Sequence, residues 1–212
     1  MVGARPGPLV RSRSPLAPVR VLSPGSDSPD SGPVCPPPVG GRLALFLSAW
    51  QEVTQDVFVL LFIFHGFQVP LLNFFPGVLR EATVAPRDPK ALQSIRSEIR
   101  ALLPKRAIVQ VKDSPRLCLS PIFVIPEGTG DLRVILNLKQ INLFIPVQHF
   151  RMETLYVILP QLTSQVWAAA IDLEDAYLHV HFRHQSQRLL GVVFLGQIYL
   201  YRVLPFGLKD SP

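Results

Sequence analysis

The sequence predicts an α+β protein in which strands joined by hairpins follow a helical N-terminal region. Apolar residues recur at helical spacing before residue 104, and short apolar runs separated by turn-forming residues follow residue 107. Strands that are interrupted by helices and joined by tight turns favour this class over a parallel βαβ fold. A hydrophobic content of 48% over 212 residues is enough for a packed core.

Residues 1–41 predict a disordered tail, since they hold ten of the 22 prolines together with many serines and glycines. Such a segment cannot bury enough apolar surface to offset the entropy lost on ordering. Its four arginines leave two interpretations open, a weak nucleic-acid tether and a solvated linker. Gly40-Gly41 closes this tail.

Two helices are expected in the next segment, 42–104. The apolar stripe of the first consists of Leu43, Phe46, Leu47, Trp50 and Val53. The second has Asp88 as its N-cap, Pro89 as its first residue and Pro104 beyond its end. Its stripe comprises Leu92, Ile95, Ile99 and Leu102. We expect both stripes to pack into the core.

Extended segments dominate from residue 107 onwards. The predicted strands cover residues 108–111, 121–126, 132–137, 166–171, 178–182, 189–195 and 198–203, and the strand over 166–171 is expected to be buried. The turn Glu127–Gly130 and the dipeptide Gly196-Gln197 each predict a hairpin. Residues 155–162 predict a helix whose end is disturbed by Pro160.

The charge balance and the cysteines indicate the kind of partner and compartment. A net charge of +6 and a pI of about 9.7 favour nucleic acid or an anionic surface as partner. Two cysteines, Cys35 and Cys118, fit a reducing compartment, so we expect an intracellular protein, cytoplasmic or nuclear. Val57–Phe75 is apolar enough to suggest a small membrane protein as an alternative. Its polar residues favour a buried helix followed by a strand or loop, without a membrane span.

The segment Trp167–Tyr177 contains the first group of candidate functional residues. Asp172 follows an apolar run, and its carboxylate, with the carbonyl of Ile171, is suited to bind a divalent cation; the alternative is a cap of the next turn. The backbone amides of Asp175 and Ala176 are candidates for binding phosphate. Tyr177 is either a ring that contacts a sugar or an ordinary core tyrosine.

Three other positions complete the candidate site. Arg133 follows the predicted hairpin turn and is either a phosphate clamp or a surface arginine. Lys139 and Asn142 contact either a template strand or the body of the protein. Phe206-Gly207 begins a turn in which the glycine permits a close backbone approach to a nucleotide.

Residues 40–212 together resemble the reverse transcriptase family. The resemblance lies in three blocks, Ser120–Pro126 with Leu132–Asn142, Trp167–Tyr177 and Leu204–Pro212, and Phe150–Thr154 with Phe206-Gly207 is similar to DIRS-type and gypsy-type retrotransposons. It implies the fingers and an incomplete palm over residues 105–212. It also implies RNA-directed DNA polymerisation with two Mg²⁺ or Mn²⁺ ions, a dNTP, an RNA or DNA template-primer, and a parent polyprotein that carries ribonuclease H.

The resemblance also assigns roles to individual residues. Asp172 takes the place of the first catalytic and metal-binding aspartate, Tyr177 that of the sugar gate and Arg133 that of the triphosphate-binding arginine. Glu127 departs from the family, which usually has lysines in this turn, and Val134 stands where proline is frequent. The family's second carboxylate block is missing from these 212 residues. We therefore expect no polymerisation by this chain alone, and the alternative is a non-catalytic nucleic-acid binder or an unselected retroelement remnant.

Overall fold

The structure is a computed structural model that describes part of the chain. The described residues are 36–81, 83–128, 130, 132–147, 154–162, 167, 169 and 171–209. The predicted disordered tail lies outside them up to residue 35. Cys118 is a buried free thiol.

The N-terminal helices form but do not enter the core. A 3-10 helix over Arg42–Phe46 leads into α1 (Leu47–Val53), and α2 covers Val57–His65. The expected burial of the first stripe is wrong, because neither the 3-10 helix nor α1 has a buried residue. The α2 helix is apolar around its whole circumference, so one packed side leaves the others exposed; Ile63 is its buried residue. No helix of the described residues is long and apolar enough to cross a membrane.

The α3 helix (Pro89–Leu102) forms as predicted. The Asp88 carboxylate accepts hydrogen bonds from the backbone N–H groups of Lys90 and Ala91, which satisfies two donors at the helix N-terminus. Ile95, Ile99 and Leu102 are buried and Leu92 packs at the edge of the core. This helix covers the strands that follow.

A four-stranded mixed sheet and a separate two-stranded antiparallel hairpin contain the described strands. The described strands are β1 (Ile108–Val111), β2 (Leu119–Ser120), β3 (Ile122–Pro126), β4 (Leu132–Leu136), β5 (Gly191–Phe194) and β6 (Gln197–Tyr201). One sheet has the order β1-β6-β5-β2, with β2 parallel to β5, and β3 and β4 pair separately. Short helices α4 (Lys139–Asn142) and α6 (His184–Gln187) connect them. The strands expected over 108–111, 121–126 and 132–137 are therefore confirmed.

Three local predictions need correction. The second hairpin turns at Leu195-Gly196, where both φ angles are positive (49° and 75°), one residue earlier than expected. Residues 176–179 form a 3-10 helix in place of the start of an extended segment. The helix expected over 155–162 divides into α5 (Leu155–Ile158) and a 3-10 turn that contains Pro160.

The buried strand expected over 166–171 is also wrong for the described residues. Trp167 is 101% and Ile171 84% exposed, and the described residues of this stretch lie in no strand. Val166, Ala168 and Ala170 lie outside the described residues. A strand needs a neighbour to satisfy its backbone groups and bury its side chains, and no described strand pairs with this stretch. Its described residues, at positions 167, 169 and 171, are therefore exposed.

Candidate functional site

A groove lies between α3, β4 and two turns, one at Asp175 and the other at Phe206-Gly207. Its cavity volume is about 300 Å³. Lys105, Leu136, Asp175, Leu178, Phe206 and Gly207 are among the side chains and backbone groups that line it. The fold thus brings together Asp175 and Phe206-Gly207, which are about thirty positions apart in the sequence.

Tyr177 contacts Phe206, one of the residues that line this groove. Their ring centroids are 4.6 Å apart and the rings are inclined by 78°, an edge-to-face contact. Tyr177 is half-buried, whereas Phe206 is 62% exposed. The arrangement leaves an apolar ring surface available to a planar or sugar-like ligand.

Lys105, which sequence reasoning missed, forms an ion pair inside the groove. Its Nζ lies 2.6 Å from Oδ2 of Asp175, and both side chains are mostly buried (34% and 21% exposed). Asp175 has φ 54° and ψ 32°, a left-handed conformation that is uncommon for residues other than glycine. Seventy positions separate the two residues, so no local sequence signal could reveal the pair.

Arg133 lies on the wall of an adjoining groove of about 770 Å³, which Lys90 and Phe206 also line. Its Nη1 is 3.8 Å from Oε1 of Glu127, and both side chains are at least half exposed. An exposed pair at this distance contributes little to stability, about 0–1 kcal/mol. The guanidinium can therefore exchange Glu127 for an anionic ligand at small cost.

Asn142 and Lys139 differ in their surroundings. Nδ2 of Asn142 donates to the carbonyl of Gly207 at 2.8 Å, and its Oδ1 accepts from the backbone N–H of Lys209 at 2.9 Å. This favours the alternative in which Asn142 contacts the protein, where it fixes the turn at Gly207 (φ 89°). The side chain of Lys139 is exposed.

Asp172 and Ile171 lie outside the lining of either groove as the structure describes it. Asp172 is exposed, and so is Ala176. An exposed carboxylate is free of the desolvation cost that burial would impose. The described residues contain no group of three His, Cys, Asp or Glu side chains able to hold a metal ion, so Asp172 and the Ile171 carbonyl offer only part of a ligand set.

Comparison with known proteins places this geometry in a known fold. No family model matches the chain. It is 26% identical over 144 residues to the Pro-Pol polyprotein of simian foamy virus type 3, covering 65% of this chain and 12% of the polyprotein. It is 22% identical over 161 residues to the transposon Tf2-3 polyprotein of Schizosaccharomyces pombe, covering 76% of this chain and 10% of that polyprotein.

Solved structures show the same likeness. The protease-reverse transcriptase of prototype foamy virus matches 70% of this chain with a TM-score of 0.53 and 22% identity, over 20% of the viral chain. The CSH mutant of that enzyme matches 81% of this chain with the same TM-score, 20% identity and 25% of the viral chain. The chain spans about a tenth of the length of the polyproteins that it matches. It therefore carries a reverse-transcriptase-like domain, with the mixed helix and sheet fold of the foamy virus enzyme.

Proposed function

We propose that this chain is part of a retrotransposon reverse transcriptase and that its groove binds a deoxynucleoside triphosphate. The observation that carries the proposal is that Asp175 and Phe206-Gly207 line one groove, that Tyr177 contacts Phe206, and that Arg133 lines the adjoining groove. A nucleotide offers an anionic tail to the arginine and a sugar to the aromatic pair.

In this proposal each candidate residue has one role. Arg133 binds the triphosphate, helped by the backbone amides of Asp175 and Ala176. Tyr177 contacts the sugar and excludes a 2′-hydroxyl, while Phe206 and Gly207 form the opposite side of the site. Lys139, which is exposed, contacts the template strand.

Divalent cations belong to the same proposal. Mg²⁺ or Mn²⁺ prefers hard oxygen ligands, and the exposed Asp172 with the carbonyl of Ile171 fits one part of such a set. When bound, the metal pair of a polymerase activates the attacking 3′-hydroxyl and neutralises charge on the triphosphate. In this proposal Asp172 would supply one carboxylate ligand that holds a cation near the reacting phosphate.

The wider assignments rest on the sequence motifs and on the two cysteines. From them we infer a DIRS-type or gypsy-type element, an RNA or DNA template-primer as partner, a parent polyprotein that carries ribonuclease H, and an intracellular location. The alternative function is non-catalytic binding of nucleic acid, which the net charge of +6 favours without requiring a nucleotide site.

A titration of the 212-residue chain with a fluorescent dATP analogue and Mg²⁺ tests the proposal. Arg133→Leu is expected to weaken binding roughly tenfold, as a charge-assisted phosphate contact does. Arg116→Leu, which removes an exposed arginine on the loop before β2, is the matched control and leaves affinity unchanged.

Two outcomes would contradict the proposal. Equal affinities for both variants would remove Arg133 from the site. Binding of RNA or DNA oligonucleotides with no binding of the nucleotide would favour the non-catalytic alternative.

A further inference from the structure

The Gly40-Gly41 dipeptide joins two segments of the groove wall through its backbone. The N–H of Gly40 donates to the carbonyl of Lys105 at 2.7 Å, and the N–H of Gly41 donates to the carbonyl of Leu178 at 2.9 Å. A Cβ atom at position 40 would lie 2.5 Å from the Lys105 oxygen and 2.6 Å from backbone atoms of Arg106. The approach is therefore one that only glycine allows.

The same two segments are joined a second time by side chains. Nζ of Lys105 contacts the Asp175 carboxylate at 2.6 Å, three residues before Leu178. We call these four residues, Gly40, Gly41, Lys105 and Asp175, the clasp. Two connections between the same segments restrict their relative movement more than either one does.

The clasp acts on the turn that carries Tyr177. The carbonyl of Asp175 accepts from the N–H of Leu178 at 2.8 Å, and that of Tyr177 accepts from Val180 at 3.1 Å. Asp175 precedes this turn in the left-handed conformation, which is uncommon for residues other than glycine although aspartate tolerates it better than most. The ion pair holds the Asp175 side chain on Lys105, and the ring of Tyr177, two residues later, meets Phe206 edge-on.

We propose that Lys105 is a positioning residue: through the clasp it fixes the ring of Tyr177 against Phe206 and so determines how well the groove distinguishes deoxyribose from ribose. The part concerning sugars rests on the proposed nucleotide-binding function. The part concerning Tyr177 does not, since it describes the protein without ligand.

The first experiment uses the ligand-free 212-residue chain labelled with 3-fluorotyrosine. The chain has four tyrosines, and Tyr177→Phe assigns the resonance of Tyr177 in the ¹⁹F NMR spectrum. Lys105→Met is expected to shift and broaden that resonance, whereas Lys105→Arg restores it. Arg80→Met is the matched control, because it breaks an ion pair, between Arg80 and Asp113, whose residues line neither groove. The Tyr177 resonance is expected to stay unchanged in this variant.

The second experiment measures affinities for dATP and ATP analogues. Lys105→Met is expected to reduce the preference for the deoxynucleotide roughly three- to tenfold, the effect of breaking one interaction within a coupled network. If Lys105→Met fails to fold by circular dichroism, Asp175→Asn removes the same ion pair and replaces it in both experiments.

The possible results separate the two hypotheses. An unchanged Tyr177 resonance in Lys105→Met overturns the positioning role, even if affinity falls, because Lys105 would then contact the anion itself. A shifted resonance in a chain that binds no nucleotide leaves the clasp standing and refutes the proposed function instead.

Discussion

Gly66 is a position at which a single added methyl group should be strongly destabilising, and its surroundings allow the expected loss of stability to be divided into two parts. Its φ of 80° and ψ of 171° lie in a region that is essentially reserved for glycine. An added Cβ would also lie 2.6 Å from both the Cδ2 atom and the carbonyl oxygen of His181. That oxygen accepts the N–H of Phe67 at 2.8 Å, so it cannot move without breaking a hydrogen bond.

The expected loss in Gly66→Ala follows from those two parts. Backbone strain accounts for about 1–3 kcal/mol of the free energy of unfolding. Overpacking against a fixed backbone atom adds about 1–3 kcal/mol. We therefore expect a total destabilisation of roughly 2–6 kcal/mol, a large fraction of the stability of a typical domain.

Gly196→Ala separates the two parts, because Gly196 also has a positive φ (75°) but has nothing within 4 Å of an added Cβ. It should lose only the backbone part, about 1–2 kcal/mol. Urea unfolding followed by circular dichroism measures both variants. If Gly66→Ala were no less stable than Gly196→Ala, the contact with His181 would not restrict position 66 and the reasoning would fail.

Three further predictions concern charge. Burial lowers the pKa of His181 below its ordinary value of 6.5, so the unfolded chain binds more protons at this residue and the free energy of unfolding should fall as the pH drops below about 6.5. Urea midpoints at pH 7.5 and 5.0 for the parent and His181→Phe measure this effect, and an identical pH dependence in the two proteins would count against it. Glu127→Lys should strengthen triphosphate binding, because it removes the carboxylate that pairs with Arg133. The effect should shrink with added salt, which screens exposed charges over about 10 Å at 0.1 M, and equal affinities of the parent and the variant at low salt would exclude a triphosphate-facing turn. Purified 1–212 should not extend a primer on an RNA template with Mg²⁺ or Mn²⁺. Incomplete metal coordination loses several kcal/mol of transition-state stabilisation, and each ~1.4 kcal/mol is tenfold in rate. Primer extension that disappears in Asp172→Asn would overturn this prediction.

Local signals explain which parts of the fold could be predicted. The Asp88-Pro89 start of α3 and the β3–β4 hairpin depend on residues within a few positions of each other, and both form as expected. Burial depends instead on distant partners. The apolar run of α2 has the composition of a core element, yet only one of its sides is packed, with Ile63 buried. The described residues of the segment before Asp172 are apolar as well, and they are exposed.

The candidate site shows the same division. Asp175, Tyr177 and Phe206-Gly207 could be proposed from short motifs. Asp175 and Phe206-Gly207 line one groove, and Tyr177 contacts Phe206. Lys105 could not, because its sequence context is a helix end without a motif and its partner is 70 positions away. The use of Asn142 to fix the Gly207 turn was likewise one of two open alternatives until the contacts were known.

The order β1-β6-β5-β2 has a consequence for how the chain folds as it is synthesised. Among the described strands β1 pairs only with β6, and Ile108 meets Tyr201 about ninety residues later in the chain. At ~5–20 residues per second, the ribosome needs roughly 5–20 s to produce β6 after β1 has emerged. During that interval β1 has an open edge, a surface that other unfinished chains can pair with. The entropy of closing this long loop is lost before the β1–β6 contacts can stabilise the chain, so folding should be slow. Its rate should depend on when β6, the last strand, becomes available.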